Sequence, residues 1–293
     1  MPTGIIIIDK PRDWTSMDVC GKLRRLLGER RVGHAGTLDP MATGVLPVFV
    51  GRATRAVEFA ETGEKEYLAG LRLGLSTDTQ DITGALLEKR PVTCSRSDVE
   101  TVLERFRGDI LQVPPMYSAL KVNGQKLYEL ARKGKTVDRK PRPITVYELE
   151  LGEQIGENEY ALRVKCSKGT YIRTLCQDIG TALGCGGCMS SLRRTMAAGF
   201  DLAQAVTIDK VIAAAENGTA ESLLLPVDQY FRRYPEISIS GESERRCRNG
   251  NDFRSKGADG LYRVYNADGA FLMLGERTGG VMRTVKSFFE PEA

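Results

Sequence analysis

The 293-residue chain carries 42 basic and 38 acidic side chains, one histidine and seven cysteines, and 41% of it is hydrophobic. That is enough for one large domain and a small one. No stretch reaches the ~18 apolar residues that mark a membrane span, and the odd, scattered cysteines argue against a disulfide framework and for a reducing, cytoplasmic setting.

The elements read as follows in chain order. Residues 3–9 form a buried strand closed by Lys10-Pro11; Ile5–Ile8 is too short for a signal peptide. Ser16 is positioned to cap a helix whose apolar stripe is Val19, Cys20, Leu23, Leu26 and Leu27, stopped by Gly28. Residues 33–47, rich in glycine and proline, specify a shaped loop. A short helix is expected at 52–61, then a strand at 65–75 with Tyr67, Ala69, Leu71, Leu73 and Leu75 on one face. A turn-rich loop follows at 77–84 and an amphipathic helix at 96–107. Val113-Pro114-Pro115 introduces a basic arm with one helix near 124–133. Strands at 144–151 and 159–166 precede a helix over 171–183, capped by Thr170. Cys185–Cys188 reads as a glycine-rich turn. Pro226 and Pro235 flank a boundary, beyond which strand–turn–strand signals indicate a small β-rich unit.

Charge is distributed unevenly. Between 121 and 142, Lys121, Lys126, Arg132, Lys133, Lys135, Arg139, Lys140 and Arg142 face only Glu129 and Asp138, a net +6 that leaves the rest of the chain at −2. A basic arm on a near-neutral body suits a polyanion, although a solvated helix face has the same composition.

The loop at 33–47 contains the sole histidine, His34, and Asp39, held in extended backbone by Pro40. Asp39 is either a turn cap or a reactive carboxylate. Arg173, near the start of its helix, opposes the helix dipole and calls for an anion. Asp39 would serve and would then be kept ionised; a structural carboxylate such as Asp178 would serve equally. Tyr67 is either a core ring or a stacking surface with a hydroxyl to handle a proton, and Tyr171 begins the helix that carries Arg173. A lone Cys185-Gly-Gly-Cys188 and a single histidine do not make a metal site. No Walker loop, dinucleotide fingerprint or Gly-x-Ser-x-Gly elbow is present, so neither cofactor nor metal is expected.

Several motifs occur together and in order. They are Asp9-Lys10-Pro11, Gly33-His34-Ala35-Gly36-Thr37-Leu38-Asp39-Pro40, Lys65-Glu66-Tyr67, Thr77-Asp78-Thr79 with Asp81 and Gly84, Pro114 to Lys121, Arg142-Pro143-Ile144, Cys166 to Arg173, and Leu192-Arg193-Arg194. In this set the chain resembles the TruB family, the tRNA pseudouridine-55 synthases. The resemblance implies an α/β (α+β) fold: a catalytic domain at 1–232 on a largely antiparallel mixed sheet, with an inserted RNA-clamping arm at about 114–142. It also implies a small β-rich PUA-like domain at 233–293.

The resemblance makes Asp39 the essential aspartate, Tyr67 the ring stacked on the uracil and involved in final proton removal, and Arg173 the partner of Asp39. Leu192 would line the pocket and Tyr171 contact the nucleotide. His34 would fill the space left by the flipped base, while Lys10, Lys121, Arg132 and Lys133 would meet the RNA. The partner implied is the T-arm of tRNA. Two other functions share these features: a tRNA-folding chaperone whose catalysis is secondary, and a guide-RNA-dependent enzyme acting on ribosomal RNA. The latter carries lysine-rich extensions that this sequence lacks, so a stand-alone monomer without a protein partner is expected.

Overall fold

The run of four isoleucines at the N-terminus is buried on both faces because its sheet is covered by apolar clusters on both sides there, and bridges from Ile5 to Leu225 and Ile8 to Val206 close its outer edge. The computed structural model describes residues 1–122 and 124–290. Nine strands make the large sheet: β1 (Gly4–Lys10), β2 (Val32–His34), β3 (Thr43–Val50), β4 (Lys65–Leu73), β5 (Gly108–Gln112), β6 (Arg142–Gly156), β7 (Glu159–Cys166), β8 (Gly187–Ala197) and β9 (Phe200–Asp201). Their spatial order is β1-β3-β8-β4-β7-β6-β5, with β2 added to β3 and β9 to β8. All pairings are antiparallel except β3 with β8, which run parallel through Arg193↔Thr43 and Arg194↔Gly44. The mixed, largely antiparallel sheet expected from the sequence is therefore present.

Helices Ser16–Leu27, Arg96–Leu103, Ile172–Ala182 and Ile208–Glu216 pack their apolar sides onto one face, against Ile6, Ile8, Leu46, Leu71, Leu162 and Val164. Ile5, Ile7, Val45 and Phe49 point the other way into a second cluster with Phe231 and Phe288. Where β4, β7 and β6 leave that second face open, it is covered by charge: Arg163 bridges Glu66, Glu148 and Glu150.

Several boundaries differ from expectation. The first helix is capped by Thr15, whose side chain accepts from Asp18 N while Asp18 returns a bond to Thr15 N; Ser16 is the first helical residue. Thr170 does not cap the helix Ile172–Ala182, because its hydroxyl donates to Ser167 O and Tyr171 holds the cap position. The 33–47 loop is shorter than read, since Thr43 already begins β3, with Pro47 paired to Ile7. Residues 52–61 are a 3-10 turn (Gly51–Ala56) running into Val57–Ala60, and the arm's helix is confined to Leu127–Ala131. Leu75 leaves β4 to join a separate hairpin with Leu86–Lys89. β8 was not anticipated, yet it is the strand that joins the two halves of the sheet.

The C-terminal unit is a five-stranded sheet, ordered Glu236–Ser238, Gly260–Tyr265, Phe271–Thr278, Val281–Ser287, Phe253–Arg254, with the helix Gly241–Arg248 beside it. Leu274 and Phe288 from this sheet join the Phe231 cluster, so the two sheets share a core.

Candidate active site

The Asp39 loop is held from several sides. Ser16 Oγ accepts from Leu38 N (2.9 Å) and donates to Leu38 O (3.3 Å). Arg194 Nη2 donates to Gly36 O (2.9 Å), and Asp13 N donates to Pro40 O (2.8 Å). Gly44, where the loop enters β3, has φ +101°, and a Cβ there would lie 2.2 Å from Arg194 O, so only glycine fits. Lys10, expected to meet RNA, is fully buried behind the loop. Its ammonium donates to the carbonyls of Pro11, Trp14 and Pro40 at 2.8, 2.6 and 3.2 Å. Burial lowers its pKa to about 8. Lys10 thus sets the backbone of the loop and presents no free charge to a ligand.

Arg173 is the hub. Its Nε lies 3.0 Å from Asp39 Oδ2 and Nη2 lies 3.3 Å from Oδ1. The same guanidinium donates to Thr79 O (3.0 Å) and Tyr117 O (2.7 Å), and Nη1 is 3.6 Å from Asp81 Oδ2. Asp39 rather than Asp178 is therefore the partner, and Asp81 is a second anion to which the sequence reading gave no role. Asp81 is itself fixed by Thr79 Oγ1 and by Thr83 N and Oγ1. The Asp39 side chain is 36% exposed while those of Arg173 and Asp81 are 7% and 6%, so of the three only Asp39 is presented to a ligand.

Burial is the largest influence on the Asp39 carboxyl and raises its pKa; Arg173 opposes this, Asp81 adds to it, and Lys10 opposes it more weakly. Arg173 thus favours the carboxylate, as expected, while burial works against it. The cation limits an upward shift without reversing it, because a desolvated carboxylate loses more hydration than one shared guanidinium returns.

Tyr67 on β4 is buried, and directly across in register stands Arg194 on β8, with Leu192 one pleat further, opposite Ala69. These side chains share the sheet face under the Asp39 loop. His34 ends β2 half-buried, its Nδ1 without a hydrogen-bond partner among the described residues; burial and then Arg194 lower its pKa, favouring neutral imidazole. The backbone of Tyr171 is clamped by the buried Gln112, whose Oε1 accepts from Tyr171 N (2.8 Å) and whose Nε2 donates to Tyr171 O (3.1 Å).

In the arm, Lys121, Arg132, Lys133, Lys135, Lys140 and Arg142 are exposed and make no salt bridge among the described residues. The arm is nonetheless wired to the site, since Ser118 O accepts from Tyr128 N (3.1 Å) while the preceding carbonyl, Tyr117 O, holds Arg173. Asp81, Arg194, Gln112 and Ser16 were not foreseen as site residues. Asp81 and Arg194 lie inside quoted motifs, but only the pairing of distant strands reveals what they touch.

Comparison with known proteins bears on this geometry. Residues 24–172 match the model of the TruB family pseudouridylate synthase N-terminal domain, and 173–232 that of the tRNA pseudouridylate synthase B C-terminal domain. The chain belongs to the TruB family of pseudouridylate synthases. It is 45% identical over 279 residues to tRNA pseudouridine synthase B of Stutzerimonas stutzeri (strain A1501), covering 94% of this chain and 91% of the relative. To the protein of the same name from Clostridium kluyveri it is 42% identical over 291 residues, covering 97% and 99%. Among solved structures, a chain of a Cbf5-Nop10-Gar1 complex superposes with a TM-score of 0.73 at 27% identity, over 99% of this chain and 86% of that one. As a TruB-family member the chain is an isomerase, and no helix among its described residues is long and apolar enough to cross a membrane.

Proposed function

We propose that this TruB-family chain converts the T-loop uridine of tRNA, position 55, to pseudouridine, acting in the cytoplasm as a stand-alone monomer without metal or cofactor. The observation that carries this reading is one partly exposed carboxylate, Asp39, gripped by Arg173 near a buried tyrosine on the adjoining sheet face, beside an arm of exposed basic side chains. The names of its curated relatives support tRNA as the substrate.

The reaction is atom-neutral. The bond from ribose C1′ to uracil N1 breaks, C1′ bonds to C5, the C5 hydrogen leaves as a proton, and N1 gains one. A carboxylate at the sugar suits the first step, as nucleophile at C1′ or as base toward a ribose proton. Tyr67 presents a ring for the base to lie on and a hydroxyl oxygen to take the C5 proton. Because the uridine is stacked in folded tRNA, it must flip out; His34, neutral and at the end of β2, stands as the wedge that keeps its place. Lys121, Arg132 and Lys133 hold T-arm phosphates, and Tyr171 and Leu192 line the pocket.

Incubating a T-arm minihelix with the purified protein alone and mapping pseudouridine tests this. Modification at position 55 is expected without added protein or guide RNA. Asp39→Asn should lower the single-turnover rate by roughly 10³-fold or more while leaving minihelix affinity within a few fold. Turnover near wild type would remove Asp39 from the chemistry, and a requirement for a guide or partner would overturn the stand-alone reading.

A further inference from the structure

Arg194 is an expensive residue to keep where it is. It is fully buried, on the central strand β8. Its Nε donates to Val45 O (2.7 Å) and its Nη2 to Gly36 O (2.9 Å), while the buried Nη1 has no hydrogen-bond partner among the described residues. Two neutral carbonyls do not compensate a desolvated guanidinium. The other charges near it are cationic or neutral bases: Lys65 on β4, Lys10 on β1 and His34 on β2 are each disfavoured in their charged forms by Arg194. Among the described residues, Tyr67 is the one group that acts on Arg194 in favour of its charged form.

The local backbone brings the two side chains together. Arg194 and Tyr67 are cross-strand partners, so their side chains rise from the same sheet face at neighbouring positions. Gly36, three residues before Asp39, has φ +79°, and a Cβ there would sit 3.3 Å from Nη1 and 3.2 Å from Lys65 Cε. Glycine leaves that side of the guanidinium free.

We propose that Arg194 is a positioning residue for the last proton transfer, holding the Tyr67 oxygen in place as the acceptor of the C5 proton and stabilising the negative charge that oxygen carries. This rests on the reading that Tyr67 takes that proton. In the step, the C5–H electron pair restores the C5–C6 double bond, the C6=N1 π pair moves onto N1, which takes a proton from water, and the C5 proton passes to the phenolate oxygen. Three groups act on the phenol from the surrounding elements. Arg194 on β8 favours the ionised form; Cys166 on β7 and Asp39 on the loop oppose it, and burial opposes it most. Among the described residues Arg194 is thus the cation that offsets part of the cost of a buried phenolate.

Two readouts test this in the intact protein: the ionisation of Tyr67, followed by its [13Cζ]-tyrosine resonance assigned by loss in Tyr67→Phe, and the single-turnover rate on a T-arm minihelix against pH. Arg194→Gln and Arg194→Met should raise the Tyr67 ionisation by about one pH unit or more. They should also slow turnover by roughly 10- to 100-fold and extend the alkaline rise of the rate to higher pH, with minihelix affinity within about twofold. Unmoved Tyr67 ionisation in a folded variant would overturn the proposal. Should the neutral variants fail to fold, Arg194→Lys decides: ionisation displaced upward by loss of the forked donor supports it, and an unchanged resonance overturns it. If Tyr67→Phe keeps the full rate, the underlying reading of Tyr67 fails instead, which separates the two.

Discussion

At the residue scale, the site mixes groups that are exposed to act with groups that are buried to hold. Asp39 is of the first kind, and its carboxyl pKa is raised by burial. The folded state therefore favours its neutral form: stability is fully present below the unfolded pKa and is lost as pH rises through the folded one. Asp39→Asn should accordingly raise the melting temperature at pH 7–8 as well as abolish turnover, the gap closing as pH falls toward 4. A melting temperature lowered at neutral pH would contradict this. Lys10 is of the second kind. Lys10→Met would leave the Pro11, Trp14 and Pro40 carbonyls without their donor, at a cost of about 2–3 kcal/mol, read by urea unfolding. Because Pro40 adjoins Asp39, turnover should fall with minihelix affinity unchanged; weakened affinity with normal turnover would restore Lys10 to the RNA interface.

At the scale of elements, what the sequence disclosed depends on how regular each element is. β7 alternates cleanly through Tyr160, Leu162, Val164 and Cys166, and it is a strand with those four side chains buried. β8 was missed although it is longer and central. Register shifts between Met189 and Ser191 and between Arg194 and Met196 break the period of two, and a buried arginine sits where an apolar residue would be sought. The cap at Ser16 was misplaced by one residue for a related reason: Thr15 and Ser16 are both capping types, and only the reciprocal bond with Asp18 selects Thr15. The basic arm was legible because charge density survives any local fold. Reversing Arg132, Lys133 and Lys135 to glutamate should weaken tRNA binding and reduce the slope of log K against log salt by about 2–3. An unchanged slope would remove these side chains from the phosphate contacts.

At the scale of the whole molecule, we propose the division between 1–232 and 233–293 as a boundary in sequence that is not a gap in packing. Phe231 is 1% exposed and meets Phe59, Tyr230, Phe271 and Phe288 with ring centroids 5.4, 5.1, 6.2 and 5.7 Å away. The joint is reinforced by Arg55 Nη1 to Ser287 Oγ (2.9 Å), by Tyr265 OH to Asp228 Oδ2 (2.7 Å), and by Lys286 to Glu58 (2.5 Å). Phe231→Ala should cost about 3–5 kcal/mol and split one calorimetric transition into two, with new proteolytic sensitivity between 232 and 236. A single transition near the wild-type temperature would show that the C-terminal sheet is held by its polar contacts instead.

The sequence by itself determined which residues could do chemistry. Glycine and proline mark a shaped loop around Asp39, though its two ends are strands, a basic segment stays basic however it folds, and the ordered motifs name a family. It also placed Asp39 and Arg173 as candidates to meet, since a cation at a helix start asks for an anion. It could not choose among the anions, nor see that Asp81 shares Arg173, that Lys10 is turned inward onto three carbonyls, or that Arg194 stands across from Tyr67. Those facts arise from loops and strands distant in sequence being brought together, Arg194 and Tyr67 by register between strands more than a hundred residues apart, and from the cost of burying charge, which only the closed fold imposes.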